Sequence, residues 1–447
     1  MAARVRAAHA ALARCCKGAP HVSCAAVRSD LAVKGPKERL NEIHRVPKLR
    51  ERIELLVVTA LYAVANGSLA CLRYCLWPRR RPREARRVCV YRVGNVGDCV
   101  CAVPTLYAVR RAYPKAHLTL LTSPGKRGLP GAKELLDGVD WLDEIIVYYA
   151  EDVAGLRARL RFVRELRRRA FDVWFEVPQS LTHFTTCVRN MIAARAAGPR
   201  WAYGWRLSTI KFAARTQSEF REAPNEVESL MQIVEGAGLQ RVDPAFPLPI
   251  AEEHRRKVDQ LLGTAERAEL PLVAIGPGAK RSTNRWPIER FAEVARHVAQ
   301  RGFRIVVLGG AGELESCARI AEAAGSGAMN LAGRTSLPES CEVLRRCTLA
   351  ICNDSGVQHL AAAVGKPSIS LFSSWQIRGK FRPYGPQHIV LQKWVECHTC
   401  YLETCPYDNL CIKEISTADV IAAFDAKIAE LSSESRPGRR NATVATG

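Results

Sequence analysis

The sequence predicts an α/β protein of two Rossmann-like halves facing a cleft, with an N-terminal apolar and basic extension in front of them. Three observations lead there. From residue 86 onward, short β-branched runs alternate with amphipathic stretches, the pattern of βαβ units around a mainly parallel sheet. The plan occurs twice, on either side of the Pro-rich stretch 243–249, DPAFPLP. Each half also opens with a strand that runs into a glycine-containing turn and then a helix. At 447 residues the chain is too long for one ordinary domain and suits two.

The extension covers residues 1–85. Residues 1–40 are rich in Ala and Arg, lack the sustained apolar core of a signal peptide, and are expected to be disordered, with no function assigned. The run 53–77, IELLVVTALYAVANGSLACLRYCLW, is about long enough to cross a bilayer, but it carries Glu54 and Arg73 and contains Asn66-Gly67-Ser68. Lys48, Arg50 and Arg52 precede it, and Arg79, Arg80, Arg81 and Arg83 follow it. Segment 53–83 therefore suits a helix lying in the membrane interface, apolar side in lipid and arginines on phosphates. A true span and a buried helix of a soluble fold are the alternatives.

The first half, residues 86–245, is expected to hold strands at 88–93, 117–122, 144–149 and 171–177. The second, residues 250–432, repeats the plan with strands at 271–276, 304–309, 349–353 and 367–372 and a helix at 287–301. Residues 433–447 form an expected disordered tail. Two open α/β sheets about a short hinge place their ligands at the carboxyl ends of the strands.

The formal net charge is +22, and more than half of the excess lies in the first 87 residues, which hold 19 Lys/Arg against 6 Asp/Glu. Flanking an apolar run, that excess favours an anionic membrane surface. A plain Arg- and Ala-rich coding bias is the bland alternative. Nucleic acid is not the expected partner, because the basic excess lies outside the folded region and lacks interleaved aromatics. The 17 cysteines are odd in number and mostly single within apolar runs, as at Cys89, Cys101, Cys187 and Cys352, which reads as a reduced, cytoplasmic chain.

Three segments carry the chemistry. In VYRVGNVGDCVCAVPTLYAVRRAYP, residues 90–114, Gly94 and Gly97 let backbone approach a ligand and Asp98 stands at the helix start. Asp98 reads either as the helix N-cap or as a carboxylate at the strand edge that can take a proton from an acceptor hydroxyl, and the two can coexist. In AIGPGAKRSTNRWPIERFAEVARHV, residues 274–298, Gly276 and Gly278 open backbone N–H groups beside Lys280, Arg281 and Arg285, a cradle for a diphosphate. A polar loop with Pro287 at the first helical position is the alternative. In LAICNDSGVQHLAAAVGKPSISLF, residues 349–372, a buried strand ends in Asn353-Asp354-Ser355-Gly356 at a helix start that suits an anion. His359 lies one turn later on the face of Ser355, as a donor-site residue or a structural histidine. Neither G-x-G-x-x-G nor G-K-[ST] is present, which weighs against a dinucleotide oxidoreductase or a phosphate-loop enzyme.

These segments, through GD-x-x-x-x-x-P (Gly97–Pro104), R-W-P (Arg285–Pro287) and N-D-[ST]-G-x-x-H (Asn353–His359), resemble glycosyltransferase family 9, the ADP-heptose:lipopolysaccharide heptosyltransferases, over about residues 86–430. The resemblance implies a GT-B fold and an inverting, metal-independent transfer with Asp98 as general base. It implies a donor site at Asp354, Ser355, Gly356 and His359 in the second half, beside Gly276, Gly278, Lys280, Asn284 and Arg285. An ADP-sugar donor, a lipid A/Kdo-type acceptor, the cytoplasmic face of the inner membrane and no required cofactor follow from it. One position departs: where many members carry Lys two residues before the Trp, this sequence has Asn284. Cys397, Cys400, Cys405 and Cys411 lie close enough in sequence to bind a structural zinc as thiolates, with free thiols or a disulfide as alternatives. A non-catalytic, membrane-docked nucleotide-binding scaffold is the rival function.

Overall fold

The computed structural model describes residues 49–180, 182–207, 222–263 and 270–434. The expectations for residues 1–40 and for nearly all of the 433–447 tail lie outside the described residues. Short, largely continuous apolar runs build the central strands of both sheets, buried on both faces, and every strand pairing in both is parallel. In the first sheet β1 (Arg87–Val93), β2 (His117–Ser123), β3 (Glu144–Val147), β4 (Val173–Glu176) and β5 (Trp201–Tyr203) take the order β3-β2-β1-β4-β5. In the second, β6 (Leu272–Gly276), β7 (Arg304–Val307), β8 (Met329–Asn330), β9 (Cys347–Asn353), β10 (Ser368–Phe372) and β11 (Ile389–Gln392) take the order β11-β10-β9-β6-β7-β8. The eight expected strands all form, each within a few residues of its expected bounds. The three that the pattern did not offer, β5, β8 and β11, are short edge strands.

The helices are α1 (Leu49–Leu76), α2 (Val96–Ala112), α3 (Ala132–Leu136), α4 (Leu156–Arg168), α5 (Phe184–Ala197) and α6 (Glu226–Gly236) in the first half. The second half has α7 (Glu252–Leu262), α8 (Ile288–Gln300), α9 (Leu314–Ala324), α10 (Leu337–Arg346), α11 (Gly356–Ala363), α12 (Leu410–Lys413) and α13 (Thr417–Glu434). Alternate strand residues face opposite sides. Val88 and Val90 of β1 point into a core shared with α2, α3 and α6, whereas Cys89 points into a second core beneath α1, α4 and α5. The first of these cores continues through α10 and α11 to Leu272 and Ala274 of β6, so one apolar cluster joins the two halves. Val273, Ile275 and Ile351, on the far face of the second sheet, pack against α8, α9 and α13.

Residues 239–251 form neither helix nor strand, as DPAFPLP predicts, yet the stretch is packed: Trp141 Nε1 donates to the Pro247 carbonyl at 2.8 Å and Phe246 lies 6.0 Å from the Tyr384 ring. Strand order reverses between β1 and β4 in one sheet and between β6 and β9 in the other. Ligand sites in open α/β sheets lie at such switch points. The three motif segments follow β1, β6 and β9.

Candidate active site

The turn after β1 is built around Asp98. Asn95, with extended backbone, is the N-cap of α2, so Asp98 is not the cap; it stands three residues into the helix and its Oδ2 accepts from the Asn95 N–H at 3.1 Å. The carboxylate remains about a quarter exposed. Gly94 is required here because a Cβ would lie 2.4 Å from the Asp98 Cβ. At Gly97 a Cβ would lie 2.8 Å from His359 Cδ2 of the other half. Asp98 and His359 fill the space beside these two glycines, which let α2 and α11 meet end to end.

Behind Asp98 lies a charge that the sequence reading missed. Arg92 in β1 is 1% exposed, and its guanidinium donates to the carbonyls of Pro178 at 2.6 Å and Asp98 at 3.2 Å. It stands 3.7 Å from the Asp98 carboxylate and 3.4 Å from that of Glu226, on α6. Glu226 in turn pairs at 2.9 Å with Lys380, a buried lysine of the second half, and accepts from Ser180 Oγ at 2.6 Å. Burial pushes the Glu226 carboxyl up, but Lys380 and Arg92 override it and hold the group below the usual range. A chain of alternating charge therefore runs from Asp98 to the second half. An arginine in an otherwise apolar strand is the signal by which the sequence could have shown it.

The turn after β9 presents Asp354 at the start of α11. Three side-chain amides donate to its carboxyl: Asn284 at 3.0 Å, Gln358 at 2.9 Å and Gln376 at 2.7 Å. Burial, with Asp98 as a second cause, pushes the Asp354 carboxyl up to about 7, against the hydrogen bonds and Arg281. Asn284 is itself buried and accepts from Ser373 Oγ at 2.6 Å, so this departure from the family pattern stands behind Asp354 and supplies no cation. Ser355 is the N-cap of α11 in position, but its hydroxyl makes no capping bond, and both Ser355 Oγ and Thr283 Oγ1 are buried without a hydrogen-bond partner among the described residues. An orphaned hydroxyl at a helix N-terminus, as at Ser355, is what an anionic ligand satisfies. Gly356 leaves room for Val96 of α2.

His359 does not line an open pocket. It is 5% exposed, its Nδ1 lies 3.5 Å from Cys101 Sγ, and burial with His388 pushes it down to about 4, so it is neutral near pH 7 and offers no charge to a diphosphate.

The turn after β6 keeps its cations outside. Lys280, Arg281 and Arg285 are exposed. Lys280 Nζ donates to Asn95 Oδ1 of the first half at 3.1 Å, Arg281 stacks 4.1 Å over Trp375, and Arg285 Nε donates to the Ala279 carbonyl at 2.9 Å. The glycines are again occupied rather than open: a Cβ on Gly276 would meet Val357 at 3.0 Å, and one on Gly278 would meet the Glu313 carboxylate. Glu313, missed from the sequence, is held there by its bond from the Gly310 N–H at 2.8 Å. Trp286 is buried and structural, its N–H groups going to Asn353 and to the Ile415 carbonyl.

The glycosyltransferase family 9 (heptosyltransferase) model matches residues 159–411, more than half of the chain. The chain belongs to glycosyltransferase family 9. Lipopolysaccharide heptosyltransferase 2 of Salmonella typhimurium is 34% identical to this family 9 enzyme over 291 residues, 62% of this chain and 80% of that protein. Among solved structures, a family 9 glycosyltransferase from Veillonella parvula superposes with a TM-score of 0.61 at 21% identity, covering 78% of this chain and 99% of that one. ADP-heptose LPS heptosyltransferase II of E. coli superposes at 0.57 and 20% identity with the same coverages. These likenesses identify the two sheets as a GT-B fold.

The four cysteines of this glycosyltransferase line one small pocket together with Thr283, Trp375 and Tyr407. All are free thiols, and burial, then the neighbouring thiols, pushes Cys397 up to about 11. Among the described residues no three His, Cys, Asp or Glu side chains stand together as a metal site. Thr399, Tyr401, Asp408 and Asn409, all at positive φ, shape this loop, and it braces the turn after β10: the Tyr401 N–H donates to the carbonyl of Trp375, on which Arg281 rests.

Proposed function

We propose that this glycosyltransferase moves a heptose from ADP-heptose to a lipid-linked saccharide of the lipopolysaccharide core, inverting the anomeric centre. Residues 86–245 take the acceptor and residues 250–432 the donor. The observation that carries the reading is the meeting of two helix N-termini at the seam. α2 brings the partly exposed carboxylate of Asp98, with Lys280 on its N-cap Asn95, and α11 brings the unsatisfied hydroxyl of Ser355. The names of the Salmonella and E. coli relatives, both lipopolysaccharide heptosyltransferases, support the sugar and the acceptor.

In the proposed step an acceptor hydroxyl attacks the anomeric carbon while Asp98 takes its proton. The new C–O bond forms as the bond to the diphosphate breaks, and ADP leaves from the opposite face. Negative charge growing on the diphosphate is met by the N-terminus of α11 and by Lys280 and Arg281, which do the work of a metal ion. Burial raises the Asp354 carboxyl, so it opposes the diphosphate less than an ordinary aspartate would.

The enzyme is placed on the cytoplasmic face of the inner membrane, held peripherally. α1 supports lying over spanning: Leu69 is 1% exposed, and Asn66 both donates to the Leu207 carbonyl at 3.2 Å and accepts its N–H at 2.8 Å, so the helix is part of the first half. The test is ADP release from ADP-heptose with and without a lipid A–Kdo acceptor, in EDTA. Acceptor-dependent release that survives chelation is expected. Release only with another nucleotide sugar would move the assignment to that sugar, and loss in EDTA would overturn the metal-independent step.

A further inference from the structure

The outer surface of the first half carries a feature that the transfer reaction does not use. α1, α5 and α4 pack side by side on one face of the first sheet, since each buries one side in the same apolar core: Leu69 of α1, Met191 of α5 and Leu166 of α4. Their opposite sides therefore share one outward direction. On α1 that side shows Leu56 and Val64, 69% and 68% exposed; on α5 it shows Ile192 at 61%.

On α4 the helical period sets Leu160, Arg157, Arg164 and Arg168 opposite the buried Leu166 and the half-buried Phe162. Leu156, at 72% exposure, stands next to them. These three arginines are exposed and have no carboxylate in ion-pairing reach among the described residues. Arg79, Arg80 and Arg83, just past the end of α1, are exposed as well. Long apolar side chains set directly among arginines match the layering of an anionic bilayer, with acyl chains beneath phosphates. The apolar run Leu56–Leu76, with a mean hydropathy of 1.5, is the length of a span and mostly exposed, and buried Leu69 and the two Asn66 bonds to Leu207 tie its inner side to the first half, which favours a helix lying along such a surface.

We propose that α1, α5 and α4 together form a docking face for an anionic lipid bilayer, with α4 supplying the arginines that bind lipid phosphate. The proposal rests on the lipid-linked acceptor reading for its purpose: it sets the acceptor-binding half against the surface from which that acceptor would come.

The experiment is co-sedimentation of the full chain with vesicles of phosphatidylcholine alone or with added phosphatidylglycerol. The wild type is compared with the triple variant Arg157→Gln/Arg164→Gln/Arg168→Gln and with Leu156→Ser/Leu160→Ser. The wild type is expected to bind the phosphatidylglycerol vesicles and to be released by salt. The arginine variant is expected to bind roughly a hundredfold more weakly, at about fivefold per charge. The leucine variant loses binding without losing the salt dependence of what remains.

Wild-type affinity in both variants, or equal binding to neutral vesicles, overturns the face. So does tight binding to duplex DNA with no vesicle partition, which would assign the arginines to nucleic acid. ADP release with a water-soluble acceptor separates this proposal from the assigned reaction. Arginine-dependent vesicle binding by a protein inert toward ADP-heptose supports the face while the transfer reading fails. Unchanged soluble turnover in the variants shows that they fold, and the salt dependence of wild-type binding gives a reading free of any substitution.

Discussion

Arg92 stands in an apolar strand at 1% exposure, and a charge buried that deeply is tolerable only while Asp98, Glu226 and the carbonyls around it stay in place. Glu226→Gln leaves Arg92 and Lys380 without their shared counter-charge. It should cost about 3–5 kcal/mol of stability in a denaturant titration and lower kcat more than it raises KM for the donor. Gly97→Ala should be harmful where Gly356→Ala is mild: the first pushes a Cβ to 2.8 Å from the His359 ring and the second only to 3.4 Å from Val96. The check is turnover beside melting temperature, with Gly97→Ala losing most activity while still folded. Asp354 has its carboxyl raised to about 7 by burial. As pH rises through that value the carboxylate forms beside the bound diphosphate, so donor KM should climb on the alkaline side, and Asp354→Asn should flatten that limb. At this scale the sequence placed Asp98, Asp354 and Ser355 at helix starts, and the structure has them there. It could not show that His359 is neutral and packed on Gly97, because that contact joins residues from different halves.

Among the elements, α1 is the one whose sequence was ambiguous. Its apolar run reads as membrane, but Asn66 in its middle reads against a span, and the structure gives the polar residue its reason in the two hydrogen bonds to Leu207. Trp77, just after the helix, stacks 5.3 Å from Trp205 and donates to the Pro199 carbonyl. Trp77→Ala should destabilise the first half by about 3–5 kcal/mol in the same titration, as large buried aromatics do. An unchanged midpoint would mean that α1 does not belong to this core. The strand–turn–helix units after β1, β6 and β9 were legible because buried parallel strands are continuous apolar runs that end in glycine or small polar residues. Edge strands β5, β8 and β11 were not, being two to four residues long and partly exposed.

For the whole molecule, the doubled βαβ plan and the Pro-rich linker were enough to read two halves, and the model match and superpositions agree on a GT-B fold. How closely the halves meet was not legible. One apolar cluster passes between them and the Arg92–Glu226–Lys380 chain crosses the junction, both made of residues more than a hundred positions apart. In the proposed reaction this junction holds Asp98 as the base for attack on a donor seated at α11. The most direct measurement is acceptor-dependent release of ADP from ADP-heptose by Asp98→Asn beside the wild type, with ADP binding followed by calorimetry on both. Loss of release by at least about a hundredfold, with ADP affinity unchanged, is expected for removal of a positioned proton acceptor. Release at the wild-type rate by a folded Asp98→Asn protein would contradict the account and move the base elsewhere.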